Sequence, residues 1–415
     1  MVLPRYALIL LAPLAGLAQE PPANLKDLIG EALVRNPEIL AAQKRYEASR
    51  QKPTQESTLP EPMFSLGYNS SGSPRPFAGI GQEPTANAGF MISQEFPWPG
   101  KLKLRGEMAG KEADADFQQY LAVQLSVAAR LKQAYYRLSN AYATSGVLTR
   151  NRDLLTKLLR VTEARYTVGK AAQADVFKAQ TQLSILETRL VKVEQEKRSR
   201  EAEITALLNR APGTPVGRPA ELKPGAPLPP LDDLYAAARR DSPMLVRDQK
   251  MIERTELAGN MARKEYYPDY ALTAGYFNMG SMPPMYMFRA DFKLPVYFWR
   301  KQRAGVAEQA FNAAQARRNY EATGQNLQFR IKDDYLMAAT SARLMELYSR
   351  TVVPQASLAL ESSLAGYETG ATDFLSVLSN FGMILEYEMN YYDELLNYHL
   401  ALSRLEEMTA QPLTD

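Results

Sequence analysis

The chain has 415 residues, with 49 basic and 46 acidic side chains and a formal charge of +3. This length allows two or three ordinary domains, and so balanced a charge does not indicate a nucleic-acid binder. Cysteine is absent and His399 is the single histidine, which excludes thiol nucleophiles, disulfide frameworks and zinc sites built on cysteine and histidine. His399 lies among tyrosines in a predicted helix without a serine-elbow motif, so we assign it a structural role. No catalytic residue, cofactor or metal site is predicted.

The N-terminal segment MVLPRYALILLAPLAGLAQE has the features of a secretory signal. Arg5 provides the positive start, Tyr6 begins an apolar stretch, and Gly16-Leu17-Ala18 is a small-residue cleavage site. We expect residues 1–18 to be removed, although a retained anchor is the alternative. No later stretch approaches eighteen consecutive apolar residues, so any further membrane insertion is predicted to use β-strands. The absence of cysteine also excludes a bacterial lipid anchor.

The rest of the chain consists of two copies of one unit. Trp98 and Trp299, the only tryptophans, are 201 residues apart, and so are Gly169 and Gly370. Gly67-Tyr68 corresponds to Gly275-Tyr276 with an offset of 208, which suits small length changes in loops. The predicted division is a first repeat at 19–210, a connector at 211–230, a second repeat at 231–410 and a tail at 411–415. Ten of the twenty connector residues are proline or glycine, which predicts an extended segment.

Both repeats are predicted to contain the same elements in the same order. The first is a helix, at about 24–58 and 231–265. Two strands follow, near 62–69 and 86–96 in the first repeat and near 269–277 and 285–294 in the second. A very long helix, at about 100–167 and 301–368, then ends at a Tyr-x-x-Gly segment. The last helix occupies about 172–209 and 373–409.

The long helices are predicted to pack laterally over their whole length. The segment from Lys101 to Val168 has 68 residues without proline, and a helix of this length spans roughly 100 Å. Such a helix needs partners along its length because helix propensity alone does not stabilise it. Apolar residues after Gly370 follow alternating four-three spacing, which predicts left-handed supercoiling. An ordinary two-stranded coiled coil is the alternative, and the predicted strands argue against it.

The strands alternate between an apolar and a polar face. In the fourth strand, Tyr286, Phe288 and Phe292 alternate with Arg289 and Asp291. This pattern is typical of outer-membrane barrel strands, and it also fits a half-buried antiparallel sheet. Four strands cannot close a barrel, and open edges are not tolerated in lipid. The membrane interpretation therefore requires several chains, and three would give twelve strands.

The duplicated order of these segments resembles the TolC family of outer-membrane efflux proteins. The resemblance rests on RYTVGKAAQADV and GYETGATDFLSV, on the strand ends FPWPGK and LPVYFW, and on the helix starts NPEILAAQ and SPMLVRDQ. It covers essentially the whole mature chain and implies a mostly α fold with a small β part. In that family a homotrimer forms a twelve-stranded barrel in the outer membrane and a long helical tunnel in the periplasm. The implied function is a passive exit duct that works with a periplasmic adaptor and an inner-membrane pump.

The resemblance also implies roles for residues at the two Tyr-x-x-Gly segments. They would lie at the periplasmic tip, where the adaptor docks. Glycine suits such turns because it takes positive φ where a helix stops and permits close backbone approach. The implied docking turns are Val168, Gly169 and Lys170 in the first repeat and Thr369, Gly370 and Ala371 in the second. The candidate residues for a periplasmic gate are Tyr166, Asp175, Tyr367, Asp373, Ser376 and Ser379.

The gate departs from the family pattern. Asp175 and Tyr367 match one polar latch, in which a carboxylate accepts a hydrogen bond from a phenol. Thr372 and Ala174 stand where the second latch would pair an arginine with a small polar residue. Two constricting aspartates are replaced by Ser376 and Ser379, with Asp373 nearby. These differences predict a more weakly held entrance.

Two questions about function stay open at this stage. Met279, Met282, Met285 and Met287 cluster around the predicted loop between the third and fourth strands. Thioether sulfur is a soft ligand for Cu(I) or Ag(I), whereas methionine also serves as an adaptable apolar filler. The alternatives to an exit duct are a soluble periplasmic coiled-coil adaptor or scaffold protein, and an enzyme. The two full repeats and the strand pattern disfavour the soluble protein, and the missing catalytic motifs disfavour the enzyme.

Overall fold

A computed structural model of the chain describes residues 23–72, 75–225 and 227–414. The predicted signal at 1–18 lies outside the described residues. The described chain folds into long helices that run side by side and one antiparallel sheet attached to one end of them. No helix in this part of the chain combines the length and apolar character needed to cross a membrane.

Each repeat begins with short helices rather than the single helix predicted. Helices α1 (Leu25–Arg35), α2 (Pro37–Ser49) and α3 (Lys52–Ser57) replace the one expected at 24–58. A proline at the first helical position starts a helix well but cannot continue one, because it lacks an N–H and restricts the preceding residue. Asn36 accordingly ends α1 and caps α2, with Oδ1 accepting from the Glu38 amide at 2.9 Å. Pro243 makes the same break between α6 (Leu231–Asp241) and α7 (Pro243–Lys264) in the second repeat.

The long helices form where they were predicted, with one interruption. In the first repeat, α4 (Lys101–Thr167) is continuous over 67 residues, about 100 Å, and is followed by α5 (Gln173–Leu207). The helix predicted at 301–368 is instead divided into α8 (Lys301–Leu347), a π-helical turn (Tyr348–Val352) and α9 (Val353–Thr369). Pro354 lies two residues after the end of this turn and lacks the N–H that the α-helical ladder would use. The last helix is α10 (Phe374–Thr409).

The helices pack laterally, and the buried core extends along them. Helix α4 contacts α5, α7 and α10, and α10 also contacts α8 and α9. The core forms three clusters instead of one centre: two lie beside each other near the middle of the helices, one in each repeat, and the third lies toward the helix-ending turns. Val377, Phe381 and Ile384, which belong to the predicted four-three stripe, are all buried. The stripe therefore marks the helix–helix contact.

The connector lies against the middle of the helices. The Tyr135 hydroxyl donates to the Ala23 carbonyl and accepts from the Ala220 amide, both at 2.9 Å. His399 is buried, and its Nε2 lies 2.8 Å from the Lys223 carbonyl oxygen. This burial lowers the pKa of His399. The histidine thus occupies a packed position next to the connector.

The sheet contains β1 (Met63–Asn69), β2 (Asn87–Phe96), β3 (Asp269–Met279) and β4 (Met282–Lys293) in the order β1-β2-β3-β4. All neighbouring strands are antiparallel. Strand β4 begins earlier than the predicted residue 285, because the turn before it is short. Gly280 adopts φ +72° in this turn, and Met279 pairs directly with Met282. Strands β1 and β4 are the edges of the sheet.

Candidate functional site

One face of the sheet is apolar and exposed. The register aligns Leu66, Phe90, Tyr276 and Tyr286 across all four strands. Phe288 on β4 is 83% exposed and Leu66 on β1 is 77% exposed. A contiguous apolar surface of this kind marks a contact with another protein or with a membrane. The alternation predicted from the sequence is present in the described strands.

The opposite face carries polar side chains and glycine, together with Met91, Met287 and Phe277. The Thr273 hydroxyl donates to Ser93 Oγ at 3.0 Å, and Arg289 Nε donates to Asp291 Oδ2 at 2.9 Å. Gly275 lies between Met91 and Met287 in the register, and the Met91 side chain occupies the space beside it. The two faces of the sheet therefore differ in polarity.

A buried lysine joins the sheet to the helices. Lys101, at the start of α4, is 1% exposed, and its Nζ donates to Asp269 Oδ1 at 2.8 Å. Asp269 also accepts from the Trp98 amide at 2.7 Å. The Trp98 ring stacks on Tyr267 with centroids 5.1 Å apart. These contacts link the first repeat to the first residue of β3 in the second repeat.

The two Tyr-x-x-Gly segments are matching helix-ending turns at the far end of the helices. Gly169 has φ +72° and Gly370 has φ +87°. The Lys170 amide bonds the Arg165 carbonyl at 2.8 Å, as the Ala371 amide bonds that of Gly366. Each glycine amide also bonds the carbonyl three residues before it. Together the two bonds form the Schellman pattern, in which a residue in the left-handed region ends the helix. The expected positive φ is therefore confirmed at both turns.

Arg165 bridges these two turns and was not singled out from the sequence. Its Nη1 donates to the carbonyl oxygens of Tyr367 and Glu368 at 2.6 and 2.8 Å. Its guanidinium carbon lies 4.7 Å from the centroid of the Tyr367 ring. The last carbonyls of a helix lack intrahelical partners and carry partial negative charge. Arg165 at the end of α4 thus supplies the counter-charge for the end of α9.

The residues matched to the phenol latch have other partners. Tyr367 is buried, and within the described chain its hydroxyl donates to Thr162 Oγ1 at 3.4 Å rather than to Asp175. Asp175 lies in the first turn of α5, 3.5 Å from Lys178 Nζ. Tyr166 is 45% exposed. The gate role of these residues stays a prediction.

The other gate candidates lie at the start of α10. Asp373 is its N-cap residue, and the Ser376 hydroxyl donates to the Asp373 carboxylate. This hydrogen bond lowers the pKa of Asp373. Ser376 and Ser379 are exposed. Thr372 stands at the position of the latch arginine. Its hydroxyl packs against Gly366, in the space that a Cβ at that position would occupy.

Comparison of the repeats could have identified Arg165 from the sequence. Its counterpart 201 residues later is Gly366, so the two tips differ in charge at equivalent positions. Arginine in the last turn of a helix is common, however, and the sequence does not indicate which carbonyls it reaches.

The predicted methionine cluster lies mainly within strands. Met285 and Met287 are on β4, where they pair with Phe277 and Gly275. Met287 and Met91 therefore flank Gly275 on the polar face. Among the described residues, no group of three or more histidine, cysteine, aspartate and glutamate side chains is arranged to hold a metal ion.

Comparison with known proteins shows which fold and which sequences this chain is similar to. The family model of outer membrane efflux proteins matches residues 28–210, essentially the first repeat. Outer membrane protein TolC of Vibrio cholerae serotype O1 is 26% identical over 164 residues, which are 38% of this chain and only 36% of that protein.

Solved channels match over nearly the whole chain. The outer-membrane channel OprN superposes with a TM-score of 0.79 at 16% identity, covering 93% of this chain and 89% of that one. The outer membrane protein VceC from Vibrio cholerae also gives 0.79, at 17% identity, covering 94% and 97%. The matched relatives are channels and give no support to a soluble adaptor. The chain is therefore similar in sequence to outer membrane efflux proteins over its first repeat, and it shares the fold of these channels over both repeats.

Proposed function

We propose that this chain is one subunit of a homotrimeric exit duct in the bacterial outer membrane. It would act as the passive outer component of a tripartite efflux pump, with a periplasmic adaptor and an inner-membrane transporter. The signal at 1–18 would direct export, the sheet would contribute to a barrel in lipid, and the helices would extend as a tunnel into the periplasm.

The observation that carries this proposal is the attachment of an outward-apolar sheet to helices of about 100 Å. The exposed aromatic and aliphatic side chains on one face of the sheet would be costly in water and suit lipid. The polar face would then line the aqueous pore. Tyr297 and Trp299 are more than half exposed just after β4, where the interface between lipid and water favours aromatic rings.

The edges of the sheet support a trimer. Among the described residues, no further strand pairs with the outer edge of β1 or β4, and lipid cannot satisfy free backbone groups there. Closure with two more copies would pair every edge and give twelve strands. The same arrangement would bring six tip turns together at the periplasmic end.

The tip turns would contact the adaptor. Both turns expose backbone near glycine, and no atom lies within 4 Å of the position that a Cβ on Gly169 would take, so a partner backbone can approach closely. Val168, Lys170, Thr369 and Ala371 flank the glycines and are exposed. The proposed gate consists of Tyr166, Asp175, Tyr367, Asp373, Ser376 and Ser379 on the adjoining helix ends.

Membrane fractionation followed by native mass measurement tests the duct. We expect the mature protein in the outer membrane fraction, dependent on detergent and with the mass of three chains. Planar-bilayer recordings of the purified protein should show discrete conductance steps. A soluble monomer without channel activity would refute the proposal.

A further inference from the structure

The sheet has two edges with different strands, and the contact between its two repeats suggests how these edges would meet. Within the chain, β2 of the first repeat pairs with β3 of the second. In each repeat the first strand is β1 or β3 and the second strand is β2 or β4. Because the repeats share one fold, β1 of a second copy can pair with β4 in the same way as β3 pairs with β2 within the chain. The inference rests on the proposed function, because it requires several copies in one ring.

The known pairing within the chain fixes the register of the unknown one. Phe90 lies opposite Tyr276 and Ile92 lies opposite Ala274. Phe96-Pro97 at the end of β2 corresponds to Leu294-Pro295, so positions on β2 map to β4 by adding 198 (294 − 96). Gly67-Tyr68 corresponds to Gly275-Tyr276, so positions on β3 map to β1 by subtracting 208 (275 − 67).

We propose that β4 pairs with β1 of the partner subunit in this transferred register. Phe288 then lies opposite Tyr68 of the partner subunit, and Ala290 lies opposite Leu66 of the partner subunit. Phe292 lies opposite Phe64 of the partner subunit, and Asp291 on the other face lies opposite Ser65 of the partner subunit.

The faces of the two edge strands agree with this register. Phe288 and Phe292 are 83% and 62% exposed, and Phe64 and Leu66 are 60% and 77% exposed on the same face of the sheet. A slip of one residue would place Arg289 on the apolar side opposite Leu66, because side chains alternate between faces. A slip by an even number of residues leaves every side chain on the same face of the sheet. The choice among such registers therefore rests on the correspondence between the two repeats.

The open space beside Gly67 agrees with the transferred register. Its counterpart Gly275 is covered by Met91 from the neighbouring strand, whereas a Cβ on Gly67 would meet no atom within 4 Å. Under the same mapping, Met91 on β2 corresponds to Arg289 on β4. In the proposed register Arg289 lies beside Gly67 of the partner subunit and covers the backbone that the single chain leaves open.

Disulfide crosslinking tests the register without background, because the chain contains no cysteine. The matched double variants are Ala290→Cys with Leu66→Cys, and Asp291→Cys with Ser65→Cys. Successive antiparallel pairs alternate between Cα separations of about 5.5 and 4.5 Å, and both lie within the range that a disulfide spans. The control is Ala290→Cys with Phe64→Cys, a diagonal pair at roughly 7–8 Å in the proposed register.

After mild oxidation of the purified protein, we expect crosslinked dimers and trimers from at least one matched pair, at least tenfold more than from the control. All variants are checked for the mass of three chains by native mass measurement. A trimer in which the control crosslinks better, or in which no pair crosslinks, overturns the register and leaves the duct standing. A monomer without crosslinks overturns both.

Discussion

Removal of the Arg165 side chain should loosen the contact between the two tip turns. In Arg165→Ala, the carbonyls of Tyr367 and Glu368 lose a donor held at 2.6 and 2.8 Å. A hydrogen bond to a charged group contributes about 1.5–3 kcal/mol. Arg165 is only half-buried and water can replace part of the contact, so we expect a net loss of about 1–3 kcal/mol for the pair, which corresponds to roughly a 5- to 150-fold shift between two states.

The shift should appear as easier opening of the tip. If six tip turns surround the entrance, widening it requires neighbouring turns to separate, and Arg165 joins the two turns of each chain. We expect Arg165→Ala to conduct more in planar bilayers than the unaltered protein, and Arg165→Lys to be intermediate because lysine keeps the charge but not the fork geometry. Arg160→Ala is the matched control, since Arg160 is an exposed arginine on the same helix.

Equal conductance of Arg165→Ala and Arg160→Ala, with both proteins trimeric and folded, would refute this reasoning. It would mean that the bridge forms without contributing to closure. The same recordings test the weakly held entrance predicted from the missing arginine latch, because a tightly shut unaltered channel would contradict that prediction.

Three further predictions concern the turn, the junction and the connector. Gly370→Ala should destabilise the tip by about 1–2 kcal/mol because of the left-handed φ, and this should appear as faster amide exchange at Ala371. The control Gly382→Ala, within a helix and with open space for a Cβ, should leave that exchange unchanged. Equal exchange at Ala371 in the two variants would argue against strain. Lys101→Met should lower the free energy of unfolding by about 3 kcal/mol, since it leaves Asp269 without its buried cation, whereas Lys103→Met at an 80% exposed side chain should change it by less than about 0.5 kcal/mol. Because the pKa of His399 is lowered in the folded state, its contribution to stability is complete above the ordinary pKa near 6.5 and is lost as pH falls toward the folded value. The drop in Tm between pH 7.5 and 5.5 should therefore be smaller in His399→Gln than in the unaltered protein. An unchanged drop would exclude this histidine as a source of the pH dependence.

The sequence predicted features that depend on period and repetition. Alternation over eight to ten residues indicated strands β1, β3 and β4, and the two glycines located the tip turns, because only glycine takes positive φ there without strain. The breaks at Pro37 and Pro243 were missed although proline at a helix start is a local signal. The long apolar pattern on both sides of each proline suggested continuity.

Other features depend on contacts that the linear pattern does not contain. Arg165 reaches carbonyls two hundred residues away, and Lys101 meets Asp269 across the boundary between the repeats. The π-helical turn at Tyr348–Val352 keeps the overall residue count of the repeat, so the matching offsets of 201 gave no indication of it. Which side chain satisfies a distant group is decided by packing geometry, and several arginines and lysines on each helix were equally suitable by sequence.

The π-helical turn makes the two hairpins mechanically unequal. Such turns are common sites of sharp kinks in long helices, and this one lies about one third of the way from the tip to the sheet along the second repeat, while α4 is uninterrupted at the same level. In a trimer, three rigid helices would alternate with three that have a joint. The diameter of the tip would then change through bending of the second hairpin against a fixed first one, and a stiffer second hairpin, made by restoring regular α-helix there, would resist dilation without any change at the tip itself.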